Sequence, residues 1–135
     1  MVGAGRLGTA LASYEGFRKY GLNIIALFDS DPDKIGQTVC DKSVFPVSKL
    51  ANLVRRLNIQ LGIIAVPATC AQDICDLMVQ AGIKAIWNFA PVNLKVPDSV
   101  WVENEDLAAR LATLSYHITH QKVREKYDHL LSPVK

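Results

Sequence analysis

Apolar and polar positions alternate along the chain between two kinds of segment. Short continuous apolar runs occur at Asn23–Asp29 (NIIALFD), Leu61–Pro67 (LGIIAVP), Lys84–Asn88 (KAIWN) and Ser99–Val102 (SVWV). Runs of that length predict strands covered on both faces, as in a parallel sheet. Between them, apolar side chains recur at helical spacing: Leu7, Ala10, Leu11 and Tyr14; then Leu50, Leu53, Val54 and Leu57; then Ala71, Ile74, Cys75 and Met78. Each set makes one stripe about 100° wide that can lie on a sheet. Gly21 and Gly82 stand where helices end, and Ser48 stands as an N-cap before the second helix. Strands alternating with helices predict βαβ units with right-handed crossovers. From Asp106 to Leu131 the pattern is one long helix with Leu107, Leu111, Leu114 and Ile118 on one face. No strand follows for it to cover, so that face packs on another chain or wraps the domain's own edge.

Composition narrows the class. The chain has 135 residues, of which 50% are hydrophobic and 21% charged, with a formal net charge of +2. That suits one globular domain and leaves no strong electrostatic footprint for nucleic acid. There is no leader of basic and then apolar residues, and no run of about 18 apolar residues that would span a bilayer. Three cysteines, Cys40, Cys70 and Cys75, read as reduced thiols in a cytoplasmic protein.

The first chemistry-bearing motif is Val2–Gly8, VGAGRLG, a G-x-G-x-x-G with glycines at 3, 5 and 8. A strand-like residue precedes it, a helix begins inside it, and Asp29 ends the next strand, which is the context a dinucleotide fold requires. Gly3 permits the tight turn, Gly5 lets a pyrophosphate approach the backbone, and Gly8 lets helix and strand pack closely. The helix N-terminus offers N–H groups to phosphate. The Asp29 carboxylate suits both ribose hydroxyls and repels a 2′-phosphate, favouring NAD(H) over NADP(H). Asp31–Lys34 reads as the following turn, with Lys34 near the adenosine or in solvent. The absence of a Gly-Lys-Ser/Thr sequence excludes a phosphate-loop NTPase. Two other strand ends carry distinctive residues: Val66-Pro67-Ala68 and Asn88-Phe89-Ala90-Pro91. Asn88 either meets a nicotinamide or its ribose, or shapes the turn; Phe89 stacks or fills core. The histidines (His117, His120 and His129) fall on the tail helix without a partner set for a metal. No catalytic triad or substrate region suggests itself, so no catalytic and no metal residue is assigned.

VGAGRLGTALASYEGF, FDSDPDKIG, AVPA, QAGIKAIWNFAPVNLKVPDSVWVEN and DLAARLATLSYHI together resemble Rex, the bacterial redox-sensing transcriptional repressor family, from Val2 to about Ile118. The nucleotide-binding part of that family also belongs to a broader group called CoA-binding domains. The resemblance implies an α/β fold: a Rossmann-like doubly wound parallel sheet, here with a truncated first strand, and a long C-terminal helix swapped in a homodimer. Residues 1–105 would form the NAD(H)-binding domain and 106–135 the dimerisation helix and tail. It implies NAD as cofactor, with NADH preferred over NAD+ and releasing operator DNA, which is held by a winged-helix domain this chain does not contain. Gly3, Ala4, Gly5, Arg6, Leu7 and Gly8 would hold the pyrophosphate and Asp29 the ribose. Val66–Ala68 and Asn88–Pro91 would line the remainder. Tyr14 would hydrogen-bond Asp106 at the start of the swapped helix, and Leu107 would cover the partner's nicotinamide. Only Met1 and Val2 remain of the first strand, so a fragment, a mis-started product and a stand-alone variant all stay open. Two rival functions also stay open: a small NAD-dependent oxidoreductase or CoA-ligase-like subunit, and a ligand-free dimerisation module.

Overall fold

A computed structural model describes residues 1–131. They contain α1 (Arg6–Ser13), β1 (Leu27–Asp29), β2 (Thr38–Val39), β3 (Lys42–Pro46), α2 (Leu50–Arg56), β4 (Leu61–Ile64), α3 (Ala68–Ala81), β5 (Ala85–Asn88), β6 (Trp101–Asn104) and α4 (Leu107–Leu131). Short 3₁₀ turns follow α1 and precede α2. The chain divides into two units, Met1–Glu105 and the segment from Asp106 onward. The last four residues of the expected tail lie outside the described residues.

β1 pairs with β3, β4 with β5 and β5 with β6, all parallel. One residue joins the two groups: Val2 forms parallel bridges to Phe28 and to Ile64. The spatial order is therefore β3, β1, Val2, β4, β5, β6. Numbering only the parallel strands by chain position, with Val2 as the first, that is 3-2-1-4-5-6, the dinucleotide-fold order. β2 adds an antiparallel edge to β3. Its hairpin turns through Cys40 and Asp41, both at positive φ (49° and 65°). The sequence pattern did not reveal this hairpin, because neither turn position is glycine and β2 has two residues.

The strands are shorter than the apolar runs. Asn23–Ala26 leads into β1 without joining a ladder, because the central strand beside it is only Val2 long. Alternation sorts the core into two faces. Phe28, Ile64 and Ile86 join Leu50, Val54, Ala71, Ile74, Cys75 and Met78 of α2 and α3. Leu27 and Val44 pack with Ala4 and, partly buried, Ala12 of α1. The stripes on α2 and α3 are thus largely buried as their spacing predicts. The α1 stripe is not: Leu7 and Tyr14 are exposed, and Gly8 is the helix's buried residue. α1 starts so close to the glycine turn that a Cβ on Gly8 would meet the Gly3 carbonyl, and Ala12 supplies its packing on Leu27 and Val44. Ser48 sits in a 3₁₀ turn and caps nothing; α2 starts after Lys49 without a side-chain cap. Gly82, at φ 106°, ends α3 as expected.

In the second unit Asp106 caps α4, its Oδ1 accepting the Ala109 N–H at 3.0 Å. The α4 side chains Leu107, Leu111, Leu114 and Ile118 are 58–68% exposed. Among the described residues no helix is long and apolar enough to cross a membrane.

Candidate functional site

Ligands of open parallel sheets bind beyond the C-terminal strand ends. There Val2 delivers the chain into the glycine turn. Gly3 has φ 107°, and a Cβ on it would strike the Ala65 carbonyl; a Cβ on Gly8 would strike the Gly3 carbonyl. Both glycines are demanded by packing. Gly5 differs. Its φ is −78°, and a Cβ on it would meet just the Lys34 Nζ, at 3.7 Å. Gly5 is therefore the glycine whose bare backbone faces open space. That space is a cleft of about 530 Å³ lined by Ala4, Gly5, Arg6, Thr9, Ala10 and Lys34.

α1 opens at this cleft. Its first helical bond runs from the Thr9 N–H to the Gly5 carbonyl at 2.9 Å, so the N–H groups of Arg6, Leu7 and Gly8 precede any helical acceptor. The N-cap glycine has no side chain to cover them, and the first turn carries no acid. A helix end of this kind attracts anions.

Asp29 faces the loop. Its Oδ2 accepts the Ala4 N–H at 2.8 Å and its Oδ1 the Asp31 N–H at 2.9 Å. Burial pushes its pKa up, but the N–H groups of Asp31 and Ala4, the Lys34 charge and the Ser30 N–H together hold it below the ordinary value. The carboxylate is thus ionised at neutral pH. It ties the glycine turn to the Asp31–Ile35 turn and retains acceptor capacity for hydroxyl groups. Asp31 shapes that second turn: it receives the Asp33 N–H on Oδ1 and the Lys34 and Ile35 N–H groups on its carbonyl.

The other expected strand ends are contiguous with this one. Ala65 abuts Gly3, and α3 begins directly after Val66 and Pro67. The Phe89 N–H donates to the Ile64 carbonyl at 2.9 Å, placing Phe89–Pro91 beside β4. Between its two expected roles, Asn88 shapes the turn. Its side chain is fully buried, donating to the Ala90 and Val92 carbonyls and to Asn104 Oδ1 while accepting the Ala90 N–H. A group so engaged has nothing left for a ligand, so its contribution to a site is the shape of the 89–92 loop. Asn104 was missed as its partner; the only sequence signal was an amide at a strand end. Phe89 is half-buried, its ring 4.5 Å from that of Trp87. Tyr14, Phe17 and Trp87 continue this row of rings at 5.0 and 5.9 Å, so Tyr14 lies at the far end of α1 from the cleft. Asp106 and Leu107 belong to the second unit. Among the described residues no three His, Cys, Asp or Glu side chains are grouped to hold a metal ion.

A cavity of about 470 Å³ lies elsewhere, walled by apolar side chains at the opposite ends of the strands, around Met1, Ile24–Ala26 and Leu61–Ile63. It is lined by no carboxylate, and it is not where a parallel sheet binds ligands.

Residues 1–92 match the family described as the CoA binding domain. The chain is 47% identical over 118 residues to the redox-sensing transcriptional repressor Rex of Desulforamulus reducens, covering 87% of this chain and 56% of that protein. It is 48% identical over 118 residues to Rex of Carboxydothermus hydrogenoformans, covering 87% and 57%. Among solved structures it is similar to RSP, a Rex-family repressor, with a TM-score of 0.87 and 41% identity over 94% of this chain and 61% of that one. RSP has also been solved with β-NAD+ and operator DNA, at a TM-score of 0.85 and 40% identity over 97% and 60%. The chain thus spans somewhat over half the length of the relatives it matches.

Proposed function

The chain belongs to the CoA-binding domain family, in its Rex repressor branch, and on that premise we propose that it is the NAD(H)-sensing part of such a repressor. The observation that carries the reading is the glycine cleft. The bare Gly5 backbone and the unpartnered start of α1 face the same space, and Asp29 at the neighbouring strand end is tied to that glycine turn through the Ala4 N–H. That pairing of an anion site with a hydroxyl acceptor is what an adenosine diphosphate moiety needs. Gly3–Gly8 hold the pyrophosphate, Asp29 the ribose, and Val66–Ala68 with Phe89–Pro91 line the nicotinamide half. RSP is known both with β-NADH and with β-NAD+ and operator DNA. That pair supports a reading in which the reduced cofactor releases DNA. The regulator acts in the cytoplasm by biasing a dimer between two geometries rather than by turnover. Such bias requires that one oxidation state bind one geometry better.

The dimer forms through α4, whose exposed Leu107, Leu111, Leu114 and Ile118 supply an apolar face. Asp106 orders the helix start, and Leu107 covers the partner's nicotinamide. An apolar cover favours the neutral reduced ring over the cationic oxidised one, because an unpaired buried charge is costly. Operator DNA contact belongs to a winged-helix domain. Titration of the purified chain with NADH and with NAD+, followed by nicotinamide or tryptophan fluorescence, should show tighter binding of NADH. Equal affinities, or no binding of either, would overturn the reading.

A further inference from the structure

We propose that Lys34 is the counter-charge for the dinucleotide's pyrophosphate, rather than a neighbour of the adenosine or a solvated loop residue. This rests on the NAD(H) reading above and assigns one of its contacts. The Lys34 Nζ lies 3.7 Å from the position a Gly5 Cβ would take, over the stretch of backbone that is bare for a phosphate to approach. It lines the same cleft as Arg6 and the first turn of α1.

Its placement is built. The Asp31–Ile35 turn that carries Lys34 is closed by the Lys34 and Ile35 N–H groups on the Asp31 carbonyl, at 3.0 and 3.1 Å. That turn is tied to the Asp29 carboxylate through the Asp31 N–H, and the same carboxylate is tied to the glycine turn through the Ala4 N–H. One acid thereby sets the distance between the lysine's turn and the phosphate loop. The stem of Lys34 is half-buried, so its ammonium is confined near the cleft.

Lys34 and Arg6 line the cleft beside the positive end of α1, whose first turn holds no acid; the carboxylates of Asp29, Asp31 and Asp33 stand on the neighbouring strand end and turn. Lys34 lies near enough to Asp29 to help keep it ionised. When a pyrophosphate with its two negative charges enters, the Lys34 ammonium beside Gly5 meets the phosphate oxygens. Asp29 is then left to the ribose hydroxyls and its two N–H donors. An ammonium on phosphate is a charge-assisted contact, among the stronger hydrogen bonds.

The test is a ligand series on the full chain and on Lys34→Met and Lys34→Arg, with thermal melts to show that the variants are folded. Lys34→Met should weaken ADP and NADH about tenfold or more. It should leave adenosine unchanged and flatten the salt dependence of ADP binding. Lys34→Arg should restore most of the affinity. Unaltered ADP and NADH binding in Lys34→Met would overturn the proposal while leaving the NAD(H) reading intact. An equal loss for adenosine would also overturn it, by placing the lysine at the nucleoside. Lys34-dependent ADP binding in a chain that does not distinguish NADH from NAD+ would support this contact and overturn the sensing reading instead.

Discussion

The two ends of the sheet's central line make opposite use of one residue. Above Val2, towards the glycine turn, the backbone is closely paired. Val2 donates to Ile63 and accepts from Ala65, while Gly3 donates to Phe28. Below it, Met1 accepts the Phe28 N–H and its amine donates to the Ala26 carbonyl at 2.8 Å. Beyond that point the line opens into the apolar cavity between Ile24–Ala26 and Leu61–Ile63. The upper end is rigid and polar, the lower end loosely filled and apolar. Three backbone hydrogen bonds, at Val2 and Gly3, therefore set the phosphate loop against both neighbouring strands. The length of the strand matters for the stability of the sheet, and the turn that follows it matters for the site.

The sharpest way to break the upper end is Gly8→Ala. Its Cβ would meet the Gly3 carbonyl, which is backbone and cannot step aside. Stability should fall by more than about 4 kcal/mol, the range reserved for steric disruption of a core, read as the loss of a cooperative melt. Gly5→Ala is its control. With only the Lys34 ammonium nearby, it should keep stability within about 0.5 kcal/mol while losing NADH affinity, because the added methyl fills the phosphate's approach.

The contrast also explains what could be read from the residues alone. The glycine turn, Asp29 and the α3 stripe were legible because each is local: spacing within one turn or helix encodes it. The alternation of strands and helices predicted a parallel sheet of βαβ units, and the 3-2-1-4-5-6 order came from the strand pairing. The burial of Asn88 was not legible, because its partner Asn104 lies on another strand and the loop it holds has no pattern of its own. The α1 stripe misled for a related reason. Gly8 and Gly3 bring helix and sheet so close that Leu7 and Tyr14 are left outside. The β2–β3 hairpin escaped because its turn uses left-handed residues other than glycine.

Asn88→Ala carries the comparison one strand further from Val2. It would leave the Ala90 N–H and the Val92 carbonyl buried or partly buried without their partner, and deprive Asn104 of its donor. The cost should be roughly 3 kcal/mol, from one or two unsatisfied groups at about 1–3 kcal/mol each. Because the loop ends beside β4, NADH affinity should fall as well, whereas ADP affinity should hold. An equal fall for ADP would mean that the 89–92 loop supports the whole cleft rather than its nicotinamide half.

A modest change in stability is expected from Asp29→Asn, and it tests whether the upper end is held by charge or by geometry. The folded-state pKa of Asp29 lies below its ordinary value, so its contribution is present above the unfolded pKa of about 3.9. It is lost as pH falls through the folded value. The variant should therefore match the wild type most closely in acid and fall behind it towards neutral pH. Half-buried and open to water, the group gives a modest difference. An amide can accept from Ala4 or from Asp31, but its NH₂ faces the other N–H group, so one of the two turns is released. If geometry sets the cleft, NADH affinity should drop far more than stability does, because the spacing between Lys34 and Gly5 is no longer fixed. If charge alone matters, Asp29→Asn should bind NADH no more weakly than the wild type, because the lost carboxylate repels the dinucleotide's phosphates, and raising the salt should narrow the difference.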